Sequence, residues 1–461
     1  MSEQQEIDKF ATDADTVEQE TESSTAFAES RFWPDLPAEW RLASAEDVYS
    51  VNPRYTPDEE EITYIEMDAL DTELPYPKYF GRRVAGDYSG KLFAPGDTLF
   101  ARITPCTENG KAAFVPEMES DVGIGSTEFA VLSPDTDQIH PWFLYYLAKS
   151  HPIHEYAVSR MRGSTGRQRV PFDVFRREID HPLPPAKEQQ KIAGVLNNID
   201  EIIRDTQELV DELGVLKRGV VEDLFTDGTR DHDRFTEEKF GKYPADWELF
   251  RFDDLLADTR YGTDTKSNTD GDGYPTLRIP NVVGKRLTLD DLKYTPVSDD
   301  ELDRLRLEKD DILVVRTNGN PDYVGQCVTF PGMDEDYVYA SYLIRIRVDT
   351  DRVLPAYVRE FLNSTRGRSE MSGWIRSSAG NYNLSVGAME KFHIPVPPLE
   401  EQAEIVEKIE AIEQETEENR AYIDEMKRLK RGLMQDLLTG DVRTAGKEID
   451  IPDEVENHES A

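Results

Sequence analysis

The chain of 461 residues contains two cysteines, Cys106 and Cys327, too few for a disulfide framework or a four-cysteine zinc site. It also lacks any run of eighteen apolar residues, and its first 30 residues are acidic where a secretion signal needs a basic and then a greasy segment. The expectation is a cytoplasmic protein with no membrane span. Lysine is scarce, with about 19 among 53 basic residues, and the 93 acidic residues bring the net charge to −40. Low lysine with excess Asp and Glu along the whole length is the composition of a cytosolic protein from a salt-accumulating halophile. An acidic-tail protein is the alternative. So negative a chain repels nucleic acid at low salt, and local charge has to be read against that background. With 38% hydrophobic and 10% aromatic residues there is material for two or three packed domains rather than one core.

Catalytic signatures are missing too. There is no Gly-x-Gly-x-x-Gly, P-loop or His-Glu-x-x-His, and the seven histidines are scattered. No catalytic residue, metal or cofactor is expected of this chain. His151 and His154 beside Glu155 are spaced like a metal pair, but no third ligand cluster follows, and they read as a surface helix start. Asp270-Gly-Asp-Gly273 lacks the spaced ligands and closing Glu of a calcium loop and reads as a turn. Asn320-Pro-Asp-Tyr323 lacks the second Pro of the Asn/Asp-Pro-Pro-aromatic motif of amino-methyltransferases.

What the sequence does contain is an internal duplication. Pro182-Leu-Pro-Pro-Ala-Lys-Glu-Gln189 matches Pro395-Val-Pro-Pro-Leu-Glu-Glu-Gln402, and Leu216-Lys-Arg-Gly219 matches Leu429-Lys-Arg-Gly432, all 213 residues apart. Upstream, with small insertions, Pro37-Ala-Glu-Trp40 answers Pro244-Ala-Asp-Trp247, and the Asp97–Arg102 stretch answers Asp311–Arg316. Each half reads as a globular unit followed by a long helix. The globular parts mix short β-type runs (Ile62–Ile65, Glu128–Leu132, Asp311–Val315, Tyr342–Val348) with helices at Trp142–Lys149 and Ala356–Ser364, an α+β pattern with curved sheet. In the first long helix apolar residues recur at Ile192, Leu196, Ile199, Ile203, Val210, Leu213, Val220 and Leu224. In the second they recur at Ile405, Ile409, Ile412, Ile423, Met426, Leu433 and Leu437, with Thr416 completing the seam and Lys217 and Lys430 interrupting it at matching steps. Two equal seams in one chain predict an intramolecular coiled coil; two separate amphipathic helices, each on its own domain, are the alternative.

Basic clusters persist despite the acidic background. Arg160, Arg162, Ser164, Arg167, Gln168 and Arg169 lie in one stretch without an acid, and its shifted counterpart carries Arg376, Ser377, Asn381, Tyr382 and Asn383, preceded by Arg366 and Arg368. Gly and Ser let backbone approach phosphate, while Arg, Gln and Asn supply phosphate and base-edge hydrogen bonds. A second paired loop holds Arg102, Thr104, Asn109 and Lys111 in the first half and Arg316, Asn318 and Asn320 in the second. All of these are candidate DNA-binding residues; solvated polar loops and drifting hairpins are the alternatives.

Two variable globular units, each ending in a Pro-x-Pro-Pro-x-x-Glu-Gln-x-x-Ile helix that closes on Leu-Lys-Arg-Gly, resemble the specificity (S) subunit of type I restriction–modification systems over about Phe32 to Val442. The resemblance implies two α/β-type target recognition domains, each for one half of a split double-stranded DNA target, and helices paired antiparallel as a spacer. It implies docking of two methyltransferase subunits, joined by restriction/translocase subunits, with S-adenosylmethionine and ATP bound by those partners. The expected layout is a disordered acidic tail at 1–31, a recognition domain at 32–182, a spacer helix at 183–228, a second recognition domain at 229–395, a second spacer helix at 396–440 and an acidic tail at 441–461. A non-catalytic coiled-coil scaffold binding only proteins is the competing reading, and a fused modification enzyme a third; the paired Arg clusters favour DNA over the scaffold.

Overall fold

The structure, a computed structural model, describes residues 30–86, 89–238, 241–378 and 380–457, so that residues 1–29 of the expected acidic tail lie outside the described residues. The chain divides into two compact units: unit 1 is Met1–Arg204 with Met426–Ala461, and unit 2 is Asp205–Glu425.

Unit 1 contains β1 (Arg41–Ser44), β2 (Tyr49–Val51), β3 (Glu61–Ile65), β4 (Gly81–Val84), β5 (Lys91–Phe93), β6 (Thr98–Ala101), β7 (Ala112–Phe114), β8 (Gly123–Gly125), β9 (Phe129–Pro134) and β10 (Asp180–Leu183). They form sheets in the orders β2-β9-β6-β7 and β4-β3-β8-β5 and a pair β1-β10. On β6 the side chains alternate between two cores. Phe100 joins Trp40, Trp142 and Tyr146, while Leu99 and Ala101 face Ile65, Phe93 and Phe129. A strand buried on both faces has no polar side to show, hence its continuous apolar run. Helices α1 (Pro141–Lys149) and α2 (His151–Ser159) follow, each with proline in its first turn, where no N–H is required.

Unit 2 repeats this plan with β11 (Phe235–Glu238), β12 (Gly241–Pro244), β13 (Glu248–Arg251), β14 (Leu256–Tyr261), β15 (Tyr274–Leu277), β16 (Lys293–Thr295), β17 (Ile312–Val315), β18 (Thr317–Asn318), β19 (Cys327–Thr329), β20 (Val338–Tyr339), β21 (Leu343–Val348), β22 (Arg376–Ser378), β23 (Asn381–Asn383) and β24 (His393–Val396). The sheet orders are β14-β21-β17-β19, β16-β15-β20 and β18-β23-β22, with pairs β13-β24 and β11-β12. β17 alternates as β6 does, Ile312 and Val314 toward one core and Leu313 and Val315 toward the other.

The long helices are α3 (Ala186–Asp227) and α6 (Leu399–Thr439). In unit 1 the start of α3 packs on the end of α6, with Ile192 and Leu196 in one core with Leu437 and Leu438. In unit 2 the end of α3 packs on the start of α6, with Val221 and Leu224 against Ile405 and Ile409. The helices therefore run antiparallel. The polar interruptions of the seam are ion pairs. Lys430 Nζ meets Asp200 Oδ1 at 2.5 Å in unit 1, and Lys217 pairs with Glu413 in unit 2. Asp200 and Glu413, like Lys217 and Lys430, stand 213 residues apart, so one contact is made twice. The seam is corrected at one step: the side chain that is buried is Val221, and Val220 packs only at its edge.

The duplicated Glu-Gln motif ties each long helix to its unit. Trp40 Nε1 donates to Glu188 and Trp247 Nε1 to Glu401, both at 3.2 Å. Gln189 Oε1 accepts the N–H of His140 at 2.8 Å, and Gln402 Oε1 that of Leu354 at 2.7 Å, each at the residue preceding a helix, α1 and its equivalent α4 (Pro355–Asn363), which α5 (Thr365–Ser372) follows. The described residues of the segment expected as an acidic tail at 441–461 pack within unit 1. Residues 453–456 form a short helix, Val455 is fully buried, and its carbonyl lies 3.1 Å from His140 Nε2. Ile451 and Val455 pack against the unit 1 core, and Trp142 Nε1 donates to Glu454 O at 3.3 Å, which together seat this acidic segment.

Candidate nucleic-acid interface

The structure brings together the two candidate loops that are far apart in sequence, and does so alike in both units. In unit 1, Ile103 bridges Arg169 and Arg169 bridges Arg162. Val170 N donates to Arg102 O at 2.9 Å and Thr104 N to Gln168 O at 3.0 Å. In unit 2, Thr317 pairs with Asn383 and Asn383 with Arg376 in the small sheet β18-β23-β22, and Leu384 N donates to Arg316 O at 2.8 Å. Every one of these residues stands 214 positions from its counterpart. Gly163 makes the first hairpin possible: at φ +136° it takes a conformation closed to L side chains, and a Cβ there would lie 2.7 Å from Arg167 O.

Within unit 1 the candidate cations divide. Arg160 is held by Glu178 at 2.8 and 3.1 Å, Arg169 by Glu128 at 2.8–2.9 Å, and Lys111 by Met67 O at 3.1 Å with Asp68 nearby. Arg102 reaches Glu128 at 3.3 Å and lies over the Phe172 ring at 4.1 Å. The Arg160 guanidinium holds the Glu178 carboxyl below its ordinary range, and Arg169 does the same for Glu128. Arg162 and Arg167 are exposed, and among the described residues their side chains make no ion pair or hydrogen bond. Ser164 and Asn109 are exposed as well, while Thr104 donates its hydroxyl to Glu108 at 2.9 Å. Sequence reading missed Phe172, which gathers Lys91, Arg102 and Arg176 within 4.1–5.7 Å of its ring centre. Its signal is the Pro171-Phe172 that ends the basic run.

In unit 2, Arg376, Ser377, Asn381 and Asn320 are exposed and Asn318, Tyr382 and Asn383 half-buried. Asn318 and Asn320 use their side-chain oxygens within the loop, accepting the N–H groups of Asn320 and Asp322 at 2.8 and 3.0 Å. Arg316 lies 4.6 Å over Tyr261 and donates to Ser341 O at 3.1 Å. The exposed Tyr261 and Tyr342 flank it and were not singled out in the sequence. Arg366 and Arg368 are half-buried. They donate to backbone carbonyls, Arg366 to Phe225 and Lys242, Arg368 to Asp322 and Val324. Asn320-Pro-Asp-Tyr323 and Asp270-Gly-Asp-Gly273 both fall in turns, the latter organised by Asn268 Oδ1. His151 opens α2, and His154 Nε2 lies 2.8 Å from Thr107 O. Among the described residues no group of three or more His, Cys, Asp or Glu could hold a metal ion, and no helix is long and apolar enough to cross a membrane.

Residues 55–213 and 244–428 match the type I restriction modification DNA specificity domain, one match in each half of the duplication. The chain belongs to this family. It is 28% identical over 246 residues to the type I restriction enzyme EcoKI specificity subunit of Escherichia coli K12, covering 51% of this chain and 50% of that protein. It is 27% identical over 364 residues to the putative type I restriction enzyme MjaX specificity subunit of Methanocaldococcus jannaschii, covering 76% of this chain and 79% of that protein. The fold is shared with a chain solved in a study of complex assembly and conformational transition of the type I R-M system, with a TM-score of 0.56, 20% identity and coverage of 88% of this chain and all of that one. It is shared also with the type I restriction-modification S subunit of M. genitalium, with a TM-score of 0.52, 13% identity and coverage of 89% and 98%. Membership of a DNA specificity family does not favour the protein-binding scaffold.

Proposed function

We propose that the chain reads a bipartite site on double-stranded DNA, one half-site per unit, and directs methylation or cleavage by partner subunits. The observation that carries this reading is the joining of two distant candidate loops by the same hydrogen bond in each unit, Val170 to Arg102 and Leu384 to Arg316. That joint gathers arginines and amides onto one surface in a chain of net charge −40. Base-edge readout and phosphate contact both need such donors, and the exposed Arg162, Arg167 and Arg376 make no ion pair among the described residues. The cost of the net charge is that affinity for DNA depends on high salt or on partner subunits.

The partners in this reading are two methyltransferase subunits and the restriction subunits that join them, in the cytoplasm. Methyl transfer and strand cleavage belong to those partners. Each unit leaves apolar side chains of the long helices exposed, Ile202 and Leu429 in unit 1 and Leu209, Leu216 and Tyr422 in unit 2. Leu209 and Leu216 are the 213-residue counterparts of Tyr422 and Leu429, a repetition that fits two copies of one partner.

The test is a map of methylated adenines in the host genome with and without this gene. Loss of one bipartite motif is expected, and a motif that persists without the gene overturns the reading. Incubated alone with labelled S-adenosylmethionine and DNA, the chain should transfer nothing.

A further inference from the structure

The repeat sorts the interface positions by what they keep and what they change. Two cations are kept: Arg102 and Arg316 occupy one position, Arg162 and Arg376 another. Several others change, among them two that touch each other in unit 1. Arg169 stands where unit 2 has Asn383, since Ile103 bridges the one as Thr317 pairs with the other. Glu128 stands where unit 2 has Tyr342, because their carbonyls accept the N–H of Arg102 at 3.0 Å and of Arg316 at 2.9 Å. A cation kept on one frame in both units suits phosphate, which is the same at every sequence, whereas a changed pair suits the bases.

We propose that Arg169 reads a guanine in the half-site bound by unit 1 and that Glu128 is the residue that positions it. This rests on the reading of the chain as a DNA-recognition subunit. The Glu128 carboxylate takes Arg169 Nε and Nη2 at 2.8–2.9 Å, clamping one edge of the guanidinium. Nη1 spends one N–H on Arg167 O at 3.4 Å, and one outward N–H on each of Nη1 and Nη2 is left for the N7 and O6 acceptors of guanine, the bidentate contact a planar fork makes best. The carboxylate is not needed to close the hairpin, which Arg162 and Arg169 already close with two backbone hydrogen bonds of 2.9 Å. Glu128 is largely covered, at 21% side-chain exposure, whereas Arg169 keeps 40%, so the clamp is inside and the guanidinium reaches out. In unit 2 the same two positions hold an amide, Asn383, and an exposed phenol, Tyr342. Asn383 is the matching reader there, and an amide is suited to adenine.

The experiment uses the full chain assembled with its methyltransferase subunits. The methylation map defines both half-sites, and equilibrium binding is then measured on duplexes carrying each base at each position. Arg169→Ala should abolish a guanine preference of about ten- to a hundredfold at one position of one half-site. Glu128→Gln, which keeps the shape and removes the charge, should weaken the same preference several-fold, with Glu128→Asp restoring part of it. The other half-site and the salt dependence should stay unchanged, a pattern that a merely structural ion pair does not give. Asn383→Ala should act only in the other half-site. A guanine preference untouched by Glu128→Gln, or a loss spread over both half-sites, overturns this assignment alone; a wild-type complex with no sequence preference overturns the DNA reading itself.

Discussion

Strands β6 and β17 follow buried aspartates, Asp97 and Asp311, whose carboxylates accept the N–H three residues back, from Ala94 at 2.9 Å and from Glu308 at 2.8 Å. The turn demands this acceptor, and both units supply it. The surroundings differ. Asp311 is neutralised by Arg347 at 2.6 and 3.0 Å, whereas Asp97 meets the Tyr55 hydroxyl and burial pushes its carboxyl up to about 6. A side chain that caps backbone is fixed in type by the frame, while its neighbours are free to change so long as they keep it paired or neutral. The same division separates Glu188 and Glu401, which hold the frame, from Glu128 and Tyr342, which diverge.

The largest effect should come from breaking the frame. Glu188 accepts from Trp40 Nε1 and from Arg443 Nε and Nη2 at 2.8 Å, and Glu401 from Trp247 Nε1, Thr229 N and His232 Nε2. Glu188→Ala leaves an indole N–H and the Nε and Nη2 of Arg443 without their acceptor, Glu39 at 2.9 Å still holding Nη1, so unit 1 should lose about 2–3 kcal/mol. Glu401→Ala should cost unit 2 somewhat less, because a histidine can shed its proton and an arginine cannot. Hydrogen exchange, resolved by unit during denaturant titration, measures both. If Glu401→Ala costs unit 2 more than Glu188→Ala costs unit 1, the two motifs are not one device made twice.

Much of this frame was legible in the sequence, and the reasons are local. Four-residue matches at a fixed offset, apolar steps of three and four, and an aspartate before an apolar run all depend on neighbours in the chain. What could not be read depends on distant partners. Lys430 looks like a break in the seam until Asp200, 230 residues away, accepts a hydrogen bond from its Nζ. Arg160 and Arg169 look like equal members of one basic run, yet they turn to Glu178 and Glu128, on different elements. Nor does sequence show that the loop after β6 meets the loop after α2, since the pairing of Ile103 with Arg169 is made by the fold.

A smaller effect should separate the units by pH. His181 on β10 is wholly buried beside Tyr49, and burial pushes its imidazole down to about 3; the equivalent residue of unit 2 is Ile394. The folded unit keeps the ring neutral while the unfolded chain takes up a proton below about 6.5, so this stability is present above that pH and lost as pH falls. Asp97 works in the opposite sense, its raised carboxyl binding a proton first in the folded state as pH falls through about 6. The two offset one another in the wild type. The histidine is isolated by His181→Ile, which installs the residue unit 2 uses. Relative to wild type the variant should gain about 1.4 kcal/mol per pH unit below about 6.5, or about 2 kcal/mol by pH 5, as read from denaturation midpoints. An advantage that does not change with pH means that the imidazole is already free to protonate in the fold.

The smallest effect sharpens the comparison at the interface itself. Arg162 and Arg376 share one position, both exposed, and the only hydrogen bond from either side chain among the described residues is from Arg376 Nη1 to Gly373 O at 3.2 Å. If both touch phosphate, Arg162→Ala and Arg376→Ala should each weaken binding of the assembled complex by about 0.5–1.5 kcal/mol, equally for every base substituted in either half-site. Each should also lower the slope of log affinity against log salt by about one, because one fewer counterion is released. The double variant should lower it by about two, since the residues sit in separate units and share no partner. Arg169 gives the contrast within the same hairpin, with a base preference that falls while the slope holds. Were Arg162→Ala instead to relax the preference at a single base, the kept cation would be a reader too, and keeping a residue in both units would no longer distinguish phosphate contacts from base contacts.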